Sequence, residues 1–223
     1  MAAYDLEEQE QLAEIQAWWK QYGNLLMNVL TAAALTVLAW QGWNWYQRNQ
    51  SAQASQVYHV LSVAVQDNDS QRIKAASGEL LEKFSGSTYA SLGALSASKA
   101  MIDAGDAKTA RVQLQWVVDK GKDELRELAR LRLATLLLYE KAYDEALKLL
   151  DGKVDPAFEA RFADSRGDIF AAQGKKPEAA TAYKSALDKL AESKKNAQGW
   201  QAQSSAVFHE IVQMKLDALG VGK

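Results

Sequence analysis

Few residues of this chain have the types and spacing that enzyme chemistry requires. The two histidines, His59 and His209, lie 150 residues apart, and neither has a partner at the spacing of a metal site. The glycines form no phosphate-binding loop, and no motif places a base beside a serine nucleophile. The chain has no cysteine, which excludes disulfides, thiol catalysis and cysteine-bound metals. We therefore expect a protein that is not an enzyme, with no catalytic residues, metal, cofactor or small-molecule substrate.

Charge is spread along the chain rather than gathered on one surface. Arg126, Arg130 and Arg132 lie on one predicted helix among acidic residues, and the first two are i, i+4 neighbours. This pattern favours a solvated, ion-paired face, with a clamp for an acidic peptide as the alternative. The formal net charge is −2 over 223 residues, of which residues 1–21 contribute −4 and the remainder +2. A near-neutral domain without a basic face is not expected to bind nucleic acid.

The stretch from Gly23 to Trp43 indicates binding to a lipid bilayer. No charged residue occurs between Lys20 and Arg48, and 21 helical residues span roughly 30 Å, the thickness of a bilayer's hydrocarbon core. A cleaved signal peptide would begin with basic residues, whereas this chain begins with acidic ones. We therefore predict an uncleaved transmembrane helix over residues 22–46, rather than the core helix of a soluble domain. Aromatic residues, which favour the headgroup level, flank the apolar centre: Trp18, Trp19, Tyr22, Trp40, Trp43, Trp45 and Tyr46.

The predicted transmembrane helix is not uniform around its circumference. Small and polar residues recur at helical spacing on one side, opposite a side rich in leucine and valine. Helices associate in lipid through small residues and side-chain amides, and an unpaired Asn28 amide inside the bilayer is costly. The alternative is that Thr31 bonds to its own helix and that Asn24 lies at the membrane interface. We predict a partner-facing stripe formed by Asn24, Asn28, Thr31, Leu35, Ala39 and Gly42.

The residues that flank the span give little information about its orientation. By the positive-inside rule, Lys20 before the span and Arg48 after it are nearly equivalent, so the basic residues favour neither orientation. Because a short tail is the simpler segment to leave inside, we expect residues 1–21 to be an acidic cytoplasmic tail and residues 47–223 to be exported. Acidic residues are repelled by anionic lipid, so the tail favours a basic partner surface, with a solvated leader as the alternative.

After Arg48 the sequence predicts helices only. Its two prolines, Pro156 and Pro177, stand where helices would begin, and no alternating β pattern occurs. Residues that favour helices, such as alanine, leucine and glutamate, dominate the composition. Residues 51–85 predict a pair of helices with a turn at residues 67–70. The predicted fold class is therefore all-α, with a single N-terminal transmembrane helix.

Three segments of the helical region repeat one pattern. Each has a polar turn followed by an alanine, at Ala110, Ala146 and Ala179, and an apolar residue four positions later. The alanines are 36 and 33 residues apart. A small residue at this place lets two antiparallel helices cross closely, as in a tetratricopeptide-type hairpin of about 34 residues. The residues predicted to pack the repeats are Ala110, Leu114, Ala146, Leu150, Gly167, Gly174, Ala179, Tyr183 and Ala186.

The last repeat matches this pattern best. Gly174 takes the glycine position of its turn, where the middle repeat has Lys141, and the first repeat has Ser98 where a smaller residue is usual. Residues 193–199 are predicted to form a loop, and residues 200–219 an amphipathic helix that caps the solenoid. The apolar face of this helix, which we expect against the repeats, carries Val207, Ile211, Met214 and Leu219.

In the order of its motifs the whole chain resembles the YfgM-type family, the ancillary subunits of the bacterial Sec translocon. The resemblance covers nearly all 223 residues and depends on the combination of segments, none of which is catalytic. These segments are an acidic leader into WWKQYGNLL, WQGWNWY at the end of the span, TYASLGALSASKA at residues 88–100, ARLRLATLLL at residues 129–138, ARFADSRGDIFAAQGKKPEAATAY at residues 160–183, and MKLDAL near the end.

The resemblance implies a single-pass protein of the bacterial inner membrane, with a cytoplasmic N-terminus and a periplasmic repeat domain. It implies association with the SecYEG translocon and with a membrane-anchored, prolyl-isomerase-like periplasmic chaperone. It also implies a role in passing newly translocated proteins to periplasmic chaperones. The residues alone leave an alternative open, namely a membrane-tethered helical-repeat scaffold of another envelope assembly or of a stress-signalling complex.

Overall fold

The structure of the chain, a computed structural model, describes residues 2–194 and 200–220. Every regular element in these two ranges is an α-helix, which confirms the predicted fold class. Of the predicted loop at residues 193–199, the first two residues are helical and the others lie outside the described residues. The helices are α1 Ala2–Gln66, α2 Ser70–Lys83, α3 Thr88–Asp103, α4 Ala107–Lys120, α5 Asp123–Tyr139, α6 Tyr143–Leu150, α7 Glu159–Ala172, α8 Lys176–Lys194 and α9 Trp200–Ala218.

The first compact unit of the chain, Met1–Ala52, contains the greater part of α1, whose last residues belong to the second unit. Large apolar side chains of this unit are exposed, and Leu25 and Leu38 each expose 63% of their surface. Exposed apolar surface on this scale is unfavourable in water but not in lipid. As predicted, this N-terminal helix is long and apolar enough to cross a membrane.

The second compact unit, Gln53–Lys223, is a succession of helical hairpins. α3 packs against α4, α5 against α6 and α7 against α8, and each hairpin packs against the next one along the chain. The end of α1 and α2 come before them, separated by the predicted turn. Asp69 and Asp106 fix the starts of α2 and α4, because their carboxylates accept backbone N–H groups of the first turn. The predicted tetratricopeptide-like solenoid is therefore confirmed.

The hairpin turns share one backbone geometry although their sequences differ. In each turn one residue has a positive φ, and the residue after it donates its N–H to the carbonyl five positions earlier. In the last turn, for example, the Lys175 N–H lies 2.9 Å from the Phe170 oxygen. This is the Schellman ending of a helix, which glycine adopts most easily. The residues with positive φ in these turns are Asn68, Gly105, Lys141 and Gly174.

Two hydrophobic clusters hold the second unit together. The larger cluster runs from the end of α1 through α6 and includes Phe162 and Ile169 of α7. The smaller cluster joins α7, α8 and α9 around Tyr183 and Val212, which are 3% and 0% exposed. Because α7 contributes to both clusters, it connects the last hairpin to the preceding ones.

α9 packs on the last hairpin, but largely through another face than the one predicted. Val212 is fully buried, and Leu219 is partly buried as expected. The prediction was wrong for the other three residues, which are exposed: Val207 by 56%, Ile211 by 40% and Met214 by 58%. Apolar residues occur on both sides of α9, so helical periodicity does not decide between them. Ion pairs of Lys215 with α7 fix the observed face.

Candidate functional site

The residues predicted to pack the repeats lie inside the hairpins, with one exception at a turn. The alanines Ala110, Ala146 and Ala179 are fully buried on α4, α6 and α8. A Cβ added at Gly167 would overlap the ring of Tyr183, so the glycine lets α7 and α8 approach closely. Gly174 is exposed and occupies the left-handed turn position. The other members are buried: Leu114, Leu150, Tyr183 and Ala186.

The predicted partner-facing stripe lies on the exposed surface of the first unit. The Thr31 hydroxyl donates to the Met27 carbonyl at 2.8 Å, so Thr31 is satisfied within its own helix. The Asn28 amide has no hydrogen-bond partner within the part of the chain that the structure describes. Inside a bilayer, an amide of this kind requires a partner from another chain or from water. All stripe residues are exposed: Asn24, Asn28, Thr31, Leu35, Ala39 and Gly42.

Aromatic side chains form pairs at both ends of the apolar stretch. The rings of Trp18 and Tyr22 lie 5.8 Å apart, and those of Trp43 and Tyr46 lie 6.2 Å apart. Near the first pair, the Trp19 ring covers Gly23, where an added Cβ would lie 3.2 Å from it. Amphipathic rings favour the two headgroup regions of a bilayer, so both pairs suit the ends of a spanning helix.

Arg130, the central one of the three arginines on α5, is largely buried and binds groups inside the domain. This corrects the prediction of a solvated face. Arg130 exposes only 12% of its side chain and pairs with the buried carboxylate of Glu127 at 2.7 Å. Its guanidinium also donates to the carbonyls of Leu149 and Asp151, at 2.7 and 2.6 Å. Carbonyls at the end of a helix lack partners within that helix. Arg130 therefore closes the short helix α6.

The neighbouring arginines differ from each other in their surroundings. Arg132 is partly buried and donates to the Leu95 carbonyl of α3 at 3.1 Å, so it links two successive hairpins. Arg126 exposes half of its side chain and lies 3.6 Å from Glu127. Only Arg126 matches the predicted ion-paired surface. The prediction failed for the other two because i, i+4 spacing does not report which helix face packs against a neighbour.

A second internal ion network joins α9 to the last hairpin. Lys215 donates to both oxygens of Asp164, at 2.9 and 3.0 Å, and to Asp168 at 2.8 Å. Asp168 also accepts the Tyr183 hydroxyl at 2.8 Å. Burial raises the pKa of Asp164, whereas the ammonium of Lys215 opposes this rise. Burial lowers the pKa of Lys215, but the two carboxylates outweigh burial and hold this pKa above its ordinary value.

Sequence reasoning missed these buried charges. Lys215 is 51 residues from Asp164, and no periodicity connects the two positions. The burial of Glu127 was weakly indicated by the sequence, because this residue shares one face of α5 with Leu131 and Ala134 at i, i+4 and i+7. A carboxylate on an apolar face predicts a buried partner, and Arg130 supplies it.

The second unit has features of a protein-binding surface. Among residues 2–194 and 200–220, no three histidine, aspartate or glutamate side chains gather as metal ligands. His59 is exposed and His209 is half-buried. The second unit exposes several large apolar side chains, and Tyr139 at the end of α5 and Ile102 on α3 expose 81% and 43% of their surface. Exposed apolar groups beside polar ones are features of protein-binding surfaces.

A comparison with known families identifies the repeat architecture. Residues 16–221 match the family described as a tetratricopeptide repeat-like domain. This range includes the apolar part of α1 as well as all the hairpins. The match therefore treats the apolar helix and the repeats as parts of one domain family.

Three bacterial proteins named ancillary SecYEG translocon subunit are similar to this chain over nearly its full length. The protein of Neisseria gonorrhoeae is 34% identical over 224 residues, covering 98% of this chain and 100% of the relative. The protein of Haemophilus influenzae is 28% identical, covering 97% and 100% of the two chains. The protein of Escherichia coli is 26% identical, covering 96% and 97%.

Proposed function

Because this chain belongs to the tetratricopeptide repeat-like family of ancillary SecYEG translocon subunits, we propose that it is a non-enzymatic, membrane-anchored scaffold of the Sec translocon. α1 anchors it in the bacterial inner membrane as a single-pass protein. The hairpins bind a membrane-anchored, prolyl-isomerase-like periplasmic chaperone and assist the transfer of translocated proteins to periplasmic chaperones. The names of the relatives support the association with SecYEG, and the chaperone is our extension of it.

The observation that carries the proposal is the unsatisfied amide of Asn28 on an exposed apolar helix. An isolated spanning helix would leave this amide without a partner in hydrocarbon, at a cost of several kcal/mol. Packing against a transmembrane helix of the translocon gives the amide a partner. The small residues Ala39 and Gly42 on the same stripe allow the close helix approach that such packing requires.

In the proposed topology, residues 1–21 form a cytoplasmic tail, residues 22–46 cross the membrane and residues 47–223 are periplasmic. Placing the repeats on the side where translocated proteins emerge lets their surface meet those proteins and their chaperones. Stacked hairpins suit this task, because they offer an extended surface to peptides or to helices of another protein. The exposed Tyr139 is the largest apolar group available for such contacts on α5.

Site-specific crosslinking in inner-membrane vesicles tests the stripe. A photoreactive residue at Asn28 or Thr31 should give adducts with a translocon subunit or with the transmembrane helix of the chaperone. The matched controls are Leu30 and Val37, which are 54% and 50% exposed and lie on the other side of the helix. They should give mainly lipid adducts.

Adducts of Asn28 and Thr31 with lipid and with a second copy alone would rule out the stripe as a translocon contact. Adducts with a subunit of another envelope complex would instead favour the alternative scaffold. Purification of the full-length protein in mild detergent provides an independent readout of the partners. We expect SecYEG and the anchored chaperone to co-elute, and we expect Tyr139→Ala to reduce recovery of the chaperone but not of SecYEG.

A further inference from the structure

A cleft of about 410 Å³ lies in the second unit and has no role in the proposed function. One wall consists of residues 85–92, from the turn before α3 and the start of α3; the other consists of residues 120–125, between α4 and α5. The turn at Gly121 is tight, since an added Cβ there would collide with the Val117 carbonyl. The N-termini of α3 and α5, the first helices of two successive hairpins, therefore open into one cleft.

The N-terminus of α3 has unsatisfied donors. Ser87 stands at the N-cap but its side chain accepts no backbone N–H. The N–H groups of Thr88 and Tyr89 have no acceptor among the residues that the structure describes. α3 also has no acidic residue in its first turn, whereas α5 has two. The positive end of the α3 dipole is therefore left without a compensating charge, which favours an anion.

Two hydroxyl groups in the wall of the cleft also have no partner. Ser91 lines the cleft, is only 7% exposed, and makes no side-chain hydrogen bond within the described ranges. The hydroxyl oxygen of Ser87 is fully buried and has no partner there either. Buried polar groups are almost always hydrogen-bonded. A ligand oxygen next to α3 would satisfy the Ser91 hydroxyl together with the free N–H groups.

The charges of the opposite wall limit where an anion can lie. Lys120 and Lys122 line the cleft, and neither forms a salt bridge within the described parts of the chain. Asp123 and Glu124 line it as well, at the start of α5. The carboxylates repel an anion from α5 and compensate the dipole of that helix. The favourable position is therefore beside α3, within reach of the lysines.

We propose that this cleft binds a phosphate oxyanion at the N-terminus of α3. The N–H groups of Thr88 and Tyr89 and the Ser91 hydroxyl donate to it, and the ammonium groups of Lys120 and Lys122 supply charge. A phosphate suits these donors better than a carboxylate, because its oxygens point in several directions and accept bonds from both walls at once. The lysines are exposed, so binding is weak and decreases with salt.

Thermal unfolding of the full-length protein in detergent, with inorganic phosphate titrated at constant ionic strength, tests the site. Wild type should gain stability with increasing phosphate, because a ligand that binds only the folded state raises Tm. We expect the double variant Lys120→Gln/Lys122→Gln to bind at least tenfold more weakly, and Ser91→Ala several-fold more weakly. Lys184→Gln, which removes a lysine outside the cleft, should bind as wild type does.

Asp123→Asn gives an effect of the opposite sign. Asp123 has a φ of 48°, and asparagine tolerates this region as well as aspartate does, so the turn is retained. Removing the carboxylate should strengthen phosphate binding about threefold or more. The proposal is overturned if wild type gains no stability, if the cleft variants gain as much as wild type, or if Asp123→Asn weakens binding.

The source of the phosphate is distinguished by a second titration with glycerol phosphate, a soluble lipid headgroup. Binding at least tenfold tighter than that of inorganic phosphate would identify a lipid headgroup as the ligand. Equal affinities would identify free phosphate. Both results uphold the oxyanion site, and both are independent of whether the protein associates with SecYEG.

Discussion

In the middle hairpin, α5–α6, Ala134 lies 16 residues before Leu150; in the last hairpin, α7–α8, Gly167 lies 16 residues before Tyr183. All four residues are buried. In the last hairpin the first helix carries glycine instead of alanine, and the second helix carries tyrosine instead of leucine. The summed side-chain volume of these two equivalent positions is thus roughly kept while both identities change, which is consistent with close packing between the helices of each hairpin.

The same two hairpins differ in how they satisfy a buried carboxylate. In the middle hairpin, Glu127 is paired with Arg130 of the same helix. In the last hairpin, Asp164 is paired with Lys215, which α9 supplies. The middle hairpin therefore satisfies its buried carboxylate from within its own first helix, whereas the last hairpin depends on the helix that follows it for this charge.

Removing the lysine tests this dependence and has the largest expected effect. Lys215→Met leaves Asp164 and Asp168 close together without a cation, in a site where Asp164 is 12% exposed. Breaking a buried ion pair costs about 3–5 kcal/mol. Since the Lys215 side chain is 31% exposed, we expect about 3 kcal/mol, measured by urea unfolding of the full-length protein in detergent. Hydrogen exchange should increase in α9 and in the adjacent α8.

The pH dependence separates this ion network from a loss of packing. The pKa of Lys215 is raised in the folded protein, so its contribution is complete below the unfolded value near 10.4 and is lost as pH rises through the folded pKa. In Lys215→Met, burial raises the pKa of Asp164, and acidification neutralises this carboxylate. The defect of the variant should therefore shrink between about pH 7 and pH 4. A defect independent of pH would contradict the electrostatic explanation.

The sequence predicted the fold well because the repeat imposes a period on it. Small residues such as Ala146 and Ala179 recur at fixed spacing, and their burial follows from the hairpin geometry. The sequence did not predict the contacts of Arg130, which binds the end of helix α6, or those of Lys215, which pairs with carboxylates on the distant helix α7. Such contacts depend on which face packs, and α9 shows that periodicity does not decide this when both faces are apolar.

The volume relation between the two hairpins is tested by Gly167→Ala. The new methyl group would overlap the Tyr183 ring, and overpacking of this kind costs about 1–3 kcal/mol. Better helix propensity recovers about 1 kcal/mol, so we expect a net loss of up to about 2 kcal/mol in urea unfolding. Gly78→Ala is the matched control on α2, because nothing lies within 4 Å of its added Cβ. It should stabilise the protein slightly.

A double variant asks whether the loss comes from this one contact. Gly167→Ala combined with Tyr183→Leu creates in α7–α8 the alanine–leucine pair that the middle hairpin already has. Tyr183→Leu alone loses the hydrogen bond to Asp168 and leaves a cavity. If the two positions interact as described, the double variant should be more stable than the sum of the single effects predicts. Additive losses would show that the positions are independent.

The smallest expected effect concerns the turn residue, Lys141 in the middle hairpin and Gly174 in the last, with φ of 59° and 75°. A residue with a Cβ is strained in this region by about 1–2 kcal/mol, whereas glycine is not. Lys141→Gly removes the strain but makes the unfolded chain more flexible, which costs about 0.4–1 kcal/mol. We therefore expect a net stabilisation of about 0.5–1 kcal/mol in urea unfolding, and a loss of about 1 kcal/mol for the reciprocal Gly174→Ala. If Lys141→Gly were destabilising, the lysine side chain would have to stabilise the turn by more than the strain it imposes.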